Sequence, residues 1–183
     1  MANHDQSDFT GTEIDVRFER SGVTKGRPIL EYVACQTLVH CCMRFGLEKS
    51  TISVLFCSEE KIKSLNQEFR EIDEATDILS FPGEELSEEL KPIDPDAGKK
   101  QKRHPMYLGD LAVCMPYVLK DCAKTKSPIS NHVPLLFVHG FLHLVGYDHD
   151  SKAREKSMFH LQKQLVDELA PNTDLSVLSK AKS

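Results

Sequence analysis

No apolar stretch in this 183-residue chain approaches the roughly 18 to 20 residues that crossing a bilayer requires, so no membrane span is expected. The opening residues, MANHDQSDFTGTEID, lack the basic start and apolar run of a secretory leader and the Arg-rich, acid-poor look of a transit peptide. A cytoplasmic location is the expectation. There is no C-x-x-C pair: Cys35, Cys41, Cys42, Cys57, Cys114 and Cys122 are scattered among apolar neighbours, which disfavours both a disulfide framework and a thiolate zinc site. They read as small buried hydrophobes. Positive charge is not in excess, since 28 acidic side chains face 23 basic ones for a net charge of −5. Nonspecific coating of nucleic acid, which rests on many Lys and Arg contacts to phosphate, is therefore disfavoured, while a local basic groove stays open. An internal repeat is also missing.

What is present suits one globular unit, because a chain of this length can bury roughly 70% of the surface its unfolded form exposes. Alternation predicts strands over 14–18, 51–56, 76–81 and 107–114. Helical spacing predicts a helix over 29–45 stopped by Gly46, and a second one capped by Ser58, with Glu59 and Glu60 in its first turn and Arg70 at its end. That second helix presents Ile62, Leu65 and Phe69 on one face. Met115-Pro116 opens a third helix. Residues 125–131 read as a turn-rich break, 133–145 as an almost wholly apolar helix, and 151–169 as a last amphipathic one, with Met158 and Phe159 assigned to the core. Between the third and fourth strands, residues 83–106 turn polar: an acidic half is followed by Lys99, Lys100, Lys102 and Arg103. This reads as a charged surface insertion in a single catalytic domain over 1–170, with a flexible tail over 171–183.

The chemistry concentrates in Val138-His139-Gly140-Phe141-Leu142-His143-Leu144-Val145-Gly146-Tyr147-Asp148-His149. His139 and His143 stand four apart on a predicted buried helix, so both project from one face, one turn apart. Burying two imidazoles among apolar residues is costly unless each finds a partner, and a shared metal ion satisfies both. Gly146 ends the helix, and the returning chain brings His149 round. Three neutral nitrogens with an open fourth position describe a catalytic zinc site rather than a closed structural one. His4, His40, His104, His132 and His160 lack such company and read as surface or packing residues.

The spacing H-x-x-x-H-x-x-G-x-x-H is shared with metzincin proteases, where a Glu directly after the first His is the general base. Here that position is Gly140, which has no side chain to take a proton. Together with Leu65-Asn66-Gln67-Glu68-Phe69-Arg70, Thr76-Asp77-Ile78-Leu79-Ser80-Phe81-Pro82 and Leu108-Gly109-Asp110-Leu111, in that order, the histidine block resembles the YbeY family over roughly residues 14–170. The resemblance implies a zincin-like α+β fold, in which a small mixed sheet of about four strands packs with helices around a metal-bearing central helix. It implies one divalent metal ion, with zinc as the reading, held by His139, His143 and His149. It further implies a single-strand-directed endoribonuclease acting in ribosomal RNA maturation, at the 3′ end of 16S RNA, and in ribosome quality control. The implied partners are precursor small-subunit RNA and the small ribosomal subunit or its assembly factors. The charged insertion is longer than the family's pattern.

Taken alone, Arg70 is a helix-end cation serving the helix dipole. The resemblance instead gives it the position of the family's functional arginine, and its planar fork suits phosphate oxygens. Asp148 reads equally as a turn residue and as a group that orients an imidazole or moves a proton. Thr76, Asp77, Ser80 and Asp110 read as hydrogen-bonding anchors of the strands beside the cleft. Two other functions remain open at this level: hydrolysis of another substrate such as a peptide, which Gly140 opposes, and a noncatalytic ribosome-assembly role with a structural metal.

Overall fold

The computed structural model describes residues 11–20, 26–83, 93, 95 and 106–169. They form an α+β fold on a four-stranded mixed sheet in the order β1-β2-β4-β3. The strands are β1 (Glu13–Phe18), β2 (Ser50–Phe56), β3 (Ile78–Pro82) and β4 (Met106–Val113). β1 and β2 are parallel, as are β2 and β4, and β3 runs antiparallel to β4 along one edge. Five helices are described: α1 (Arg27–Arg44), α2 (Glu59–Arg70), α3 (Met115–Thr125), α4 (Ile129–Leu144) and α5 (Lys152–Glu168).

Local chemistry sets most of these boundaries. Ser58 accepts a hydrogen bond from the Lys61 amide at 3.2 Å and so starts α2, and Ser151 does the same for α5 through Arg154. α1 and α3 each carry a proline in their first turn, where a missing N–H costs nothing. β3 begins two residues later than alternation predicts. The Asp77 carboxylate accepts from the Ile78 amide at 2.8 Å and from the Thr76 hydroxyl at 3.0 Å, giving the backbone a local alternative to the ladder. α4 begins four residues before the predicted start, so Pro134 lies inside it. The carbonyl that the Pro134 N–H would have reached belongs to exposed Ser130, which water can satisfy.

α4 is the centre of the molecule, touching α1, α3, α5, β3 and β4. Its Phe137 and Phe141 meet Phe56 and Phe45 edge-on, with ring centroids 6.1 and 5.1 Å apart, among fully buried Ile52, Leu111 and Val113. Ile78 and Leu111 face this helix. Their strand neighbours Leu79 and Ala112 point the other way and pack with Ile62 of α2, together with Cys57 and Cys114, in a second, smaller cluster. The sheet therefore separates α2 from α4.

Three packing expectations change. Phe69 is 59% exposed and lies edge-on to Phe81 with centroids 5.0 Å apart, at the rim of the small cluster rather than in it. Phe159 is 45% exposed rather than core, since Met158, Leu161 and Leu165 form the buried stripe of α5. Within the insertion, Ile93 and Pro95 are buried rather than solvated. The Ile93 amide donates to the Val145 carbonyl at 2.9 Å, and the Tyr147 hydroxyl donates to the Ile93 carbonyl at 3.2 Å. The charged residues of 84–92 and 96–105 lie outside the described set.

α4 comes close to the sheet at Gly140. A Cβ there would lie 2.7 Å from Ile78 Cδ1 and 2.9 Å from Leu111 Cδ2. Gly140→Ala gains about 1 kcal/mol of helix propensity but overpacks at a cost of about 1–3 kcal/mol, so a net loss of up to about 2 kcal/mol is expected. Gly140→Glu also buries a carboxylate against apolar side chains and is expected to lose distinctly more. Urea unfolding of the two variants checks this ordering.

Candidate metal centre

The helical period places His139 and His143 on one face of α4, with ring centroids 4.7 Å apart and their Nε2 atoms 3.1 Å apart. Two nitrogens each bound at 2.0–2.1 Å to a tetrahedral zinc lie about 3.3 Å apart, so the pair is already spaced for a shared ion. α4 then stops. Val145, Gly146 and Tyr147 donate their amides back to Phe141, His143 and Leu142, and Gly146 takes φ 89°, which only glycine adopts at low cost. The reversed chain carries His149 to within 5.7 Å of the His139 ring and 5.2 Å of the His143 ring, centroid to centroid. One ligand nitrogen from each of the three lies within 4.8 Å of the others, so the cluster could hold a metal ion.

Electrostatics favour ligand over cation. Burial, followed by the neighbouring imidazoles and Arg70, pushes His143 down to about 4. His139 is also lowered, first by burial. Both are neutral at pH 7, as metal coordination requires. The cysteines are unsuited to that role. Five are buried and one is half-buried, and burial pushes Cys42 and Cys57 up to about 12 and Cys114 up to about 11.

The histidines open into a cleft of about 430 Å³ lined also by Arg70, Thr76, Asp77, Ile78, Ser80 and Asp148. Arg70 arrives from the far side of the sheet. It is the last residue of α2, which ends as Glu71 turns left-handed at φ 60°, and it reaches the cleft round the free edge of β3. Asp148 accepts from the His149 amide at 2.7 Å and so shapes the turn that carries the third imidazole. Thr76, Asp77 and Ser80 border the cleft, whereas Asp110 does not: it accepts from the Tyr107 hydroxyl at 2.6 Å, and that hydroxyl also lies 3.0 Å from Ser53. Two neighbours of the cluster were not predicted. Gln162 on α5 places Oε1 2.9 Å from His139 Nδ1, and the Phe159 ring lies 6.3 Å from that of His149. A glutamine on an amphipathic helix carries no sequence signal of such a contact. Of the remaining histidines, His40 pairs with Glu168 at 3.2 Å, His132 is half-buried and His160 is exposed, while His4 and His104 lie outside the described residues.

The chain is similar to known proteins. The family model described as Endoribonuclease YbeY matches residues 27–170. An Endoribonuclease YbeY from Shouchella clausii is 36% identical over 154 residues, covering 84% of this chain and 93% of the relative. One from Limosilactobacillus reuteri is 35% identical over 142 residues, covering 77% and 83%. The solution structure of a Thermotoga maritima protein is similar with a TM-score of 0.52 and 26% identity, covering 84% of this chain and 87% of that one.

Below pH 6.5 an unfolded His143 takes up a proton that the folded one refuses until about pH 4. The stability this group contributes is therefore complete above pH 6.5 and is lost as the pH falls toward 4. In chelator-treated protein the urea midpoint is expected to drop across that window, and to drop less steeply in His143→Gln. Equal pH slopes for the two proteins would contradict this account of His143.

Proposed function

Since the chain belongs to the YbeY endoribonuclease family, we propose that it cleaves single-stranded RNA at internal phosphodiester bonds during ribosomal RNA maturation. The observation that carries this reading is the convergence of three imidazoles and one guanidinium on a single cleft. In this reading His139, His143 and His149 hold one divalent ion, and zinc suits an all-imidazole set with an open position. Such an ion supplies Lewis acidity, polarising a phosphoryl oxygen and lowering the pKa of water at neutral pH.

The chain's own groups do the rest. Arg70 presents a planar fork to the phosphoryl oxygens and offsets the negative charge that grows on them during displacement. Because Arg70 and the three histidines line one cleft, a phosphate bound there can meet both the imidazoles and the guanidinium. Asp148 holds the His149 backbone and keeps the third imidazole over the cleft. Asp77, whose carboxylate accepts from the Ile78 amide and the Thr76 hydroxyl, fixes the start of β3 at the cleft wall. Peptide hydrolysis of the metzincin kind would need a carboxylate at Gly140, where even a Cβ would crowd the ends of the Ile78 and Leu111 side chains. The acidic net charge fits a protein that meets RNA through this one site. Precursor small-subunit RNA and the small ribosomal subunit, in the cytoplasm, are the substrate and setting this reading implies.

Arg70→Ala should lower the cleavage rate on single-stranded RNA by about 10²–10³-fold, the effect of removing one charge-stabilising donor, while its metal content stays that of wild type. Arg70→Lys should recover part of the loss. Gel analysis of a labelled oligonucleotide, with its duplex form as the comparison, reads the rates. Equal cleavage by wild type and Arg70→Ala would remove Arg70 from the chemistry.

A further inference from the structure

We propose that Gln162 is a positioning residue of the metal centre, locking His139 in the tautomer whose Nε2 faces the other two imidazoles. The inference rests on the reading that the three histidines hold a metal ion. The Nδ1–H of His139 donates to Gln162 Oε1 at 2.9 Å, and Nε2 of the same ring is the atom 3.1 Å from Nε2 of His143. A neutral imidazole carries one proton, so a filled Nδ1 leaves Nε2 with the lone pair that coordination uses. Ligand histidines commonly need such a partner on the other nitrogen, and its loss costs metal affinity.

The contact is built into the fold rather than made by a loose surface side chain. Met158, Leu161 and Leu165 are buried and seat α5 against α4, which sets the position of Gln162 between them. His139 is itself part-buried, so without an acceptor its Nδ1–H would be left short of a partner. The same face of α5 carries Phe159, three residues earlier, beside His149. One helix thus braces two of the three imidazoles. Because glutamine is neutral, Gln162 orients the ring without adding negative charge behind it, where a carboxylate would make the imidazole a stronger donor.

Two measurements on Gln162→Leu and Gln162→Glu test the proposal, with folding of each variant checked by circular dichroism. Zinc affinity, from competition with a chromophoric chelator, should fall about 10–100-fold in Gln162→Leu and should equal or exceed wild type in Gln162→Glu. In metal-free protein, imidazole nitrogen NMR should show His139 as the Nδ1–H tautomer in wild type and as a mixture in Gln162→Leu. Wild-type zinc affinity in Gln162→Leu, with its His139 tautomer unchanged, overturns the proposal alone. A wild-type protein that binds no zinc overturns the metal reading and this inference with it.

Discussion

Helix α4 lies directly on the edge of the sheet because Gly140 has no side chain to hold it away, and the rest of the site depends on that approach. With Ile78 and Leu111 filling the space beside the glycine, His139 and His143 come up against the β3 side of the sheet. A bulkier residue would lift the helix and draw the imidazoles away from the wall that Thr76, Asp77 and Ser80 provide. The same absence of a side chain separates this centre from the peptidases that share its histidine spacing. A base at that position would have to displace the ends of the Ile78 and Leu111 side chains from this helix–sheet packing.

Burial by α4 and α5 has a second consequence. It holds two imidazoles neutral, so the site starts as a set of lone pairs rather than of positive charges. The guanidinium and the imidazoles come to one cleft from different elements. α2 packs on the far face of the sheet, and Arg70 reaches round β3 to line the same cleft of about 430 Å³ as the three histidines. An anion in that cleft can meet both. Ile93, hydrogen-bonded to Val145 and Tyr147, ties the charged insertion to the turn that follows α4 and so links that segment to the loop bearing His149.

Much of this was legible in the sequence. The four strands follow from alternation and apolar runs, and the start of α2 and the C-terminal ends of α1 and α4 from Ser58, Gly46 and Gly146, whereas the α+β fold with its small mixed sheet followed from the resemblance. The three histidines could be brought together because two share a helical face and a glycine turn returns the third. What escaped prediction depends on partners distant in sequence. Phe159 reads as core by composition, yet it sits beside the stripe that α5 buries. The first turn of α4, from Ile129, reads as part of a turn-rich break, yet the helix runs through it. Gln162 contacts a residue 23 positions earlier, and no local pattern encodes that meeting. Gly140 was visible as a missing base, but the physical reason for its absence lies in Ile78 and Leu111, on strands far away in the chain. The place of Arg70 at the cleft followed from resemblance, since its helix alone gives it only a dipole to serve.

The central claim is that His139, His143 and His149 together hold one metal ion. Metal analysis of purified wild-type protein beside His139→Ala, His143→Ala and His149→Ala tests it most directly. The account predicts about one divalent ion per wild-type chain and a marked loss in each variant, because three ligands are the fewest that catalytic zinc sites use. Full metal content in all three variants would contradict it.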